Sequence, residues 1–147
     1  MDDAFLTRVA GPDDAEALFL LIAAFHAEEG YSFDERRSRA ALVDLLARPD
    51  LGRVLVDEML LGYLVLGFGF SLEFGGRDAF VDELYVVPSR RGQGLGAALL
   101  ASAEAEALRA GIGALHLEVE TSKPKTHDFY RRLGFQDHQR HLLTKLL

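Results

Sequence analysis

Apolar residues recur at helical spacing through Leu18, Leu21, Ile22 and Phe25, and the pattern stops near Gly30. Upstream, residues 5–9 read as a short first strand. Pro12 follows at a first helical position, with Asp13 and Asp14 in the first turn. Ser32-Phe33-Asp34-Glu35 is a capping-box pattern and predicts a second helix to about Ala47. The β-rich runs 53–56 and 61–70 are joined by a short turn at 57–60. Gly75-Gly76 marks another turn, before a third strand over 79–87. An alanine-rich helix over 94–110 ends at Gly111, a strand covers 114–119, and a short helix over 125–133 ends at Gly134. Residues 135–146 read as a final strand or hairpin.

The order β, two helices, three strands, helix, strand, helix, strand predicts a mixed α/β fold in one domain, residues 1–147. Its three successive strands should form an antiparallel meander, and the helical connections favour parallel neighbours.

Composition narrows the partners. The chain has 147 residues, 49% of them hydrophobic, enough to bury a core of its own. Sixteen basic against 23 acidic residues give a formal charge of −7, which argues against nucleic acid or an anionic membrane as the main partner. The same balance suits a cationic substrate. Cysteine is absent, so thiolate nucleophiles, disulfides and zinc–thiolate sites are excluded. His127 and His138 lack partners at metal-ligand spacing, and no metal site is expected. Met1-Asp2-Asp3 lacks the basic-then-apolar order of a signal peptide, and no apolar run reaches membrane-spanning length. A cytoplasmic location is the expectation.

The chemistry concentrates at Arg90-Arg91-Gly92-Gln93-Gly94-Leu95-Gly96, between a strand and a helix start. Glycines let the backbone turn tightly and approach a ligand, and the free N–H groups at the helix start can hold a phosphate. Gly92, Gly94 and Ala97 also fit a dinucleotide fingerprint, with Glu118 and Glu120 at a suitable distance. Against that reading, residues 88–91 separate the first glycine from the strand. Only about fifty residues follow the motif, too few to complete a doubly wound domain.

Two motifs in order are more specific. Arg91, Gly94 and Gly96 match Arg/Gln-x-x-Gly-x-Gly/Ala, preceded by Leu84-Tyr85-Val86-Val87-Pro88. Downstream, Phe129-Tyr130-Arg131-Arg132-Leu133-Gly134-Phe135 matches aromatic-Tyr-x-x-x-Gly-Phe. In both, the chain resembles the GNAT superfamily of N-acetyltransferases. The resemblance covers nearly the whole element order and implies a central mixed sheet with a splayed strand pair, flanked by about four helices.

It also implies acetyl-coenzyme A as co-substrate. Leu84, Tyr85 and Val86 would contact the pantetheine and acetyl carbonyl through their main chains. The amides of Gly92, Gln93, Gly94, Leu95, Gly96 and Ala97 would hold the pyrophosphate, with charge added by Arg90 and Arg91. Tyr130 aligns with the tyrosine that protonates the departing thiolate. The acceptor amine must first lose a proton, and Asp82 and Glu83 are two carboxylates inside an otherwise apolar strand. Strand alternation puts them on opposite faces, so that one of them reaches the reaction centre. Residues 70–76 and 81–86 look like the spermidine/spermine and thialysine branch, where the first acid is the proposed base. That points to Asp82, with Glu83 as the alternative. Lys123 and Thr126 stand where the family often has Asn and Ala, so Lys123 or Lys125 could meet a coenzyme A phosphate instead. Glu28, Glu29 and Tyr31 lie in the region that lines the acceptor site.

The reading is an acetyl-coenzyme A-dependent transfer to a primary amine by direct attack in a ternary complex, the acceptor a small cationic amine or amino acid. A protein lysine or N-terminal amine is the alternative acceptor. A non-catalytic acyl-coenzyme A-binding regulatory module is the alternative of another class, although such a module needs neither Tyr130 nor the strand carboxylates. The branch implies a homodimer.

Overall fold

The computed structural model describes residues 5–147; the acidic start, residues 1–3, lies outside them. The chain divides into two compact units, the first running to Leu117 and the second Glu118–Leu147.

In the first unit, Pro12 opens a short 3-10 turn, Pro12–Asp14, which leads into α1, Ala15–Glu29. Gly30, at φ 71°, ends α1 in the left-handed conformation that glycine adopts without a Cβ penalty. The second helix, α2, spans Glu35–Ala47. Its cap is Asp34 rather than Ser32: the Asp34 carboxylate accepts the Arg37 amide at 3.1 Å. Strands β1 (Thr7–Val9), β2 (Gly52–Asp57), β3 (Gly62–Ser71), β4 (Gly76–Val86) and β5 (Ala114–Leu117) form one sheet in sequence order. Helix α3 covers Leu95–Arg109.

β2, β3 and β4 make the expected antiparallel meander, and β4 pairs parallel with β5 across α3. β1 departs from the expectation for helical connections and pairs antiparallel with β2. Two helices intervene there rather than one, so the chain returns running the other way. The β2–β3 turn is built on buried Asp57, whose carboxylate accepts the amides of Met59, Leu61 and Gly62 at 2.8–3.2 Å. Those bonds satisfy donors that the turn would otherwise bury unpaired.

Each face of the sheet buries one layer. Leu18, Phe19 and Ile22 of α1 and Leu42 of α2 pack with Val54, Val56, Tyr63, Val65 and Tyr85. On the opposite face, α3 buries Leu95, Leu99, Leu100, Ala103 and Ala107, each leucine contributing roughly 1.5–3 kcal/mol of transfer free energy. Gly62 is required there: a Cβ would lie 3.2 Å from the Leu95 side chain and 2.8 Å from the Tyr85 carbonyl oxygen.

One irregularity shapes the open edge of β4. Val65 pairs with Glu83 and Leu66 with Val81, so Asp82 is an extra residue, a β-bulge, in β4. A bulge bends its strand and increases its twist. Pairing with β5 runs through Asp78, Ala79, Phe80 and Val81 and stops there. β4 therefore continues to Val86 without β5 beside it. This is the splayed strand pair, and the bend at Asp82 accounts for it.

In the second unit, α4 covers Pro124–Arg132, close to the expected 125–133. The expected strand over 135–146 does not form. Residues 136–141 are all polar and offer no face to bury, and Gln139, at φ 56°, leaves the extended conformation altogether.

Candidate active site

The turn after β4 has the predicted cradle form. A 3-10 turn, Pro88–Arg90, leads to Gly92 at φ 74° and Gly94 at φ 93°, and Gly94 is the N-cap of α3. No side chain caps that helix, so its first amides point out of the turn. A Cβ built on Gly92 or Gly94 would meet nothing within 4 Å, which leaves the space in front of the amides open. Gly92, Gln93 and Gly94 are exposed, Leu95 is buried as an anchor, and Gly96 and Ala97 are half-buried. The fit to a pyrophosphate is good on these grounds: donors, a positive helix end and no side chain in the way.

Arg91 holds the cradle to the body of the unit. Its Nε donates to the Val86 carbonyl oxygen at 2.9 Å, and its guanidinium forks onto the Glu28 carboxylate at 2.7 and 2.6 Å. It also lies 5.6 Å over the Tyr85 ring. Two residues that sequence reasoning gave to different ligands are thus partners of each other. Tyr31, third of the expected acceptor-site group, packs edge-on against Phe25 and His26, and Glu29 is half-buried at the end of α1. Arg90 is exposed on the turn.

The main chain of β4 follows from the same bond. Val86 turns its carbonyl outward to Arg91, and Val87 donates inward to the Leu61 carbonyl oxygen at 2.8 Å. Alternation then sends the polar main-chain groups of Leu84 and Val86 to the side that β5 has left, and turns those of Tyr85 toward Tyr63 on β3.

The bulge overturns the expectation that Asp82 and Glu83 lie on opposite faces. Glu83 lies opposite Val65 on the face covered by α1 and α2, where its carboxylate meets His26 of α1. Asp82 keeps the same face as Phe80 and lines a cleft of about 370 Å³ with Leu45 of α2, Val65, Gly67, Gly69 and Phe80. Gly67 and Gly69 carry no side chain, and that makes the floor of the cleft.

Their surroundings differ. Asp82 is exposed. Glu83 is 16% exposed and held at both oxygens: the Tyr63 hydroxyl donates to Oε1 at 2.8 Å, and His26 Nε2 lies 2.5 Å from Oε2. Tyr63 is fully buried, and burial, followed by the charge of Glu83, pushes its phenol far above the ordinary tyrosine range. Tyr63 is therefore a permanent donor to Glu83. Sequence reasoning missed both His26 and Tyr63. The signal was there in outline: His26 stands four residues after Ile22 on the buried stripe of α1, and Tyr63 alternates with Val65 on the core face of β3.

In the second unit, Tyr130 packs edge-on against Phe129 and Phe135 at 5.2 and 5.7 Å. Burial pushes its phenol above its ordinary value, so it stays protonated at neutral pH. Lys123 is the N-cap of α4, and Lys125 is exposed in its first turn. Among the described residues, no group of His, Cys, Asp and Glu is arranged to hold a metal ion, and no helix is long and apolar enough to cross a membrane.

Residues 17–135 match the model of the acetyltransferase (GNAT) family, a stretch that takes in the cradle, the bulged strand and the Tyr130 motif. The chain belongs to that family. As a GNAT protein it is an acetyltransferase, and the family generally uses acetyl-coenzyme A. It is 30% identical to an aminoalkylphosphonate N-acetyltransferase of Salmonella typhimurium over 131 residues, 88% of this chain and 83% of that one. It is 33% identical to a thialysine N-epsilon-acetyltransferase of Bos taurus over 78 residues, 53% of this chain and 45% of the bovine one, so the chain spans about half the length of that relative. Among solved structures, an integron cassette protein from the mobile metagenome of Cole Harbour Salt Marsh superposes with a TM-score of 0.84 at 35% identity, covering 96% of this chain and 90% of the other.

Proposed function

We propose that this GNAT protein moves an acetyl group from acetyl-coenzyme A to the primary amine of a small cationic acceptor, by direct attack in a ternary complex, with both units acting as one domain. The observation that carries the reading is the place of Glu83. It is a nearly buried carboxylate with both oxygens oriented, on the stretch of β4 that β5 leaves open, five residues along the chain from Pro88, where the cradle's first turn begins.

When bound, acetyl-coenzyme A supplies an acetyl thioester. The cradle amides of residues 92–97 would hold its pyrophosphate, and the outward main-chain groups of Leu84 and Val86 would face its pantetheine arm. A backbone N–H there would stabilise the oxyanion that develops at the carbonyl. Glu83 takes a proton from the acceptor's ammonium, leaving a lone pair free to attack. Asp82, exposed at the end of its cleft, supplies a second negative charge to draw the cation in. Tyr130 returns a proton to the departing thiolate. The base is therefore assigned to Glu83 rather than Asp82, because Glu83 is the one whose geometry is fixed from two sides.

A panel of amines tests this by coenzyme A release: thialysine, an aminoalkylphosphonate, a polyamine, a simple alkylamine and a lysine-containing peptide. Turnover of a small amine with none of the peptide is the expected result. Turnover of the peptide alone would move the acceptor to protein. Tight acetyl-coenzyme A binding with no release for any amine would leave a regulatory module.

A further inference from the structure

His26 is joined to Glu83 across 57 positions of sequence, yet its other ring nitrogen has no role in that contact. Nδ1 is buried and has no hydrogen-bond partner among the described residues. The ring is caged by Phe25, Tyr31 and Phe33, with centroids 5.6, 5.7 and 5.4 Å away. An N–H on Nδ1 would be a donor shut away from any acceptor, which costs more than leaving a bare nitrogen there. The carboxylate of Glu83 can only accept, so the facing nitrogen must donate to it.

We infer that His26 is a positioning residue for the acetyl-transfer reaction: it stays neutral, carries its one proton on Nε2, and with Tyr63 locks Glu83 in place as an ionised base. The inference rests on the assignment of Glu83 as base. The groups facing Glu83 divide cleanly between elements. His26 comes from α1, with Tyr31 behind it; Tyr63 comes from β3; Asp82 and Tyr85 flank it on β4. His26 and Tyr63 are the two that donate to it. The proton taken from the amine remains on Glu83, since Nε2 is already occupied and Nδ1 has no path to solvent. The imidazole is thus a fixed donor and never a relay. A neutral histidine also keeps the full negative charge of Glu83 available to a cationic acceptor, which an imidazolium would cancel.

The test contrasts two amides. In His26→Gln the side-chain amide reaches about as far as Nε2 and can still donate to Glu83; in His26→Asn it is too short. For His26→Asn we expect kcat to fall 10- to 100-fold with the acetyl-coenzyme A Kd unchanged. The acid limb of the kcat/KM profile should move to higher pH by about one unit, the size expected for one lost hydrogen bond to a charged group. His26→Gln should recover most of kcat and return the limb toward its native position. A purely structural His26 would leave the limb in place in both variants, and that result overturns the inference. A limb that moves equally in both variants also overturns it, because the donor would then not be the cause. Glu83→Gln separates this from the base assignment. If Glu83→Gln keeps full activity, the base is elsewhere and the parent reading fails. If Glu83→Gln is inactive and His26→Asn is silent, only the role of His26 fails.

Discussion

Arg91 and Glu28 form a two-pronged ion pair, Nη1 to Oε1 at 2.7 Å and Nη2 to Oε2 at 2.6 Å, between the glycine turn and the last residues of α1. The pair is half exposed, so its worth to global stability is about 1 kcal/mol or less. Its value is geometric: with the bond to the Val86 carbonyl oxygen, it fixes the turn against the strand and helix on either side. Arg91→Ala should raise the acetyl-coenzyme A Kd about tenfold while lowering Tm by only a few degrees. Glu28→Gln should do less, because the bond to Val86 survives. Calorimetry and a melting curve on each variant check both parts.

Glu83 and Asp82 should separate kinetically. Glu83→Gln removes the carboxylate proposed as base and is expected to lower kcat at least 100-fold, within the range general base catalysis supplies. Asp82→Asn removes an exposed charge at the cleft and is expected mainly to raise KM for the amine. Steady-state kinetics with a turned-over amine decide it, and a larger kcat loss in Asp82→Asn would hand the base back to Asp82.

Gly94 sits at φ 93° with open space where a Cβ would project, so a substitution there meets backbone strain rather than a clash. That strain is roughly 1–2 kcal/mol. Gly94→Val should fold with a lower Tm and lose acetyl-coenzyme A binding, as the turn relaxes and the α3 amides swing away. Native affinity by calorimetry would remove the cradle assignment.

Tyr130→Phe should lower turnover and leave the acetyl-coenzyme A Kd nearly intact. Burial raises the phenol's pKa, so the donor form persists as pH rises past the ordinary value near 10. Loss of kcat from Tyr130 ionisation should therefore lie above about pH 10. Unchanged turnover in Tyr130→Phe would end its role as acid.

Asp14 gives a stability test independent of the chemistry. Arg8 donates to both of its oxygens at 2.8 Å and the Gly11 amide adds a third bond, and together they hold the carboxyl below its ordinary value despite partial burial. A depressed carboxyl stabilises the fold above its unfolded value near 4, and the contribution is lost as pH falls below that through the lowered folded value. Asp14→Asn should cost about 1 kcal/mol at pH 7 and almost nothing at pH 2. Melting curves at the two pH values measure the difference.

The regular elements were legible because each carries its own pattern. The α1 stripe, the glycine at its end, the three strands of the meander and the glycine turn before α3 all stand within two or three residues of their expected places. Three things were not legible, each for a physical reason. Residues 136–141 are polar throughout and have no alternation to carry the expected strand. The partnership of Arg91 with Glu28 spans 63 positions and is fixed only by folding. The shared face of Asp82 and Glu83 depends on a bulge, and period-two reasoning assumes there is none. His26 was hidden as well, because nothing local says which carboxylate a helix four elements upstream will meet.

That extra residue in β4 suggests a kind of information not carried by residue identity at all. On either side of Asp82 the strand keeps its register with β3, so removing position 82 would leave every other pairing as it is: Val65 still opposite Glu83, Leu66 still opposite Val81. What such a deletion would change is curvature. A straight β4 could be zipped further by β5, and the opening beside Leu84 and Val86 would close although no side chain other than that of Asp82 itself had been lost. In this chain, the open edge of β4 is written in the length of a strand, and a count of residues does what no substitution could.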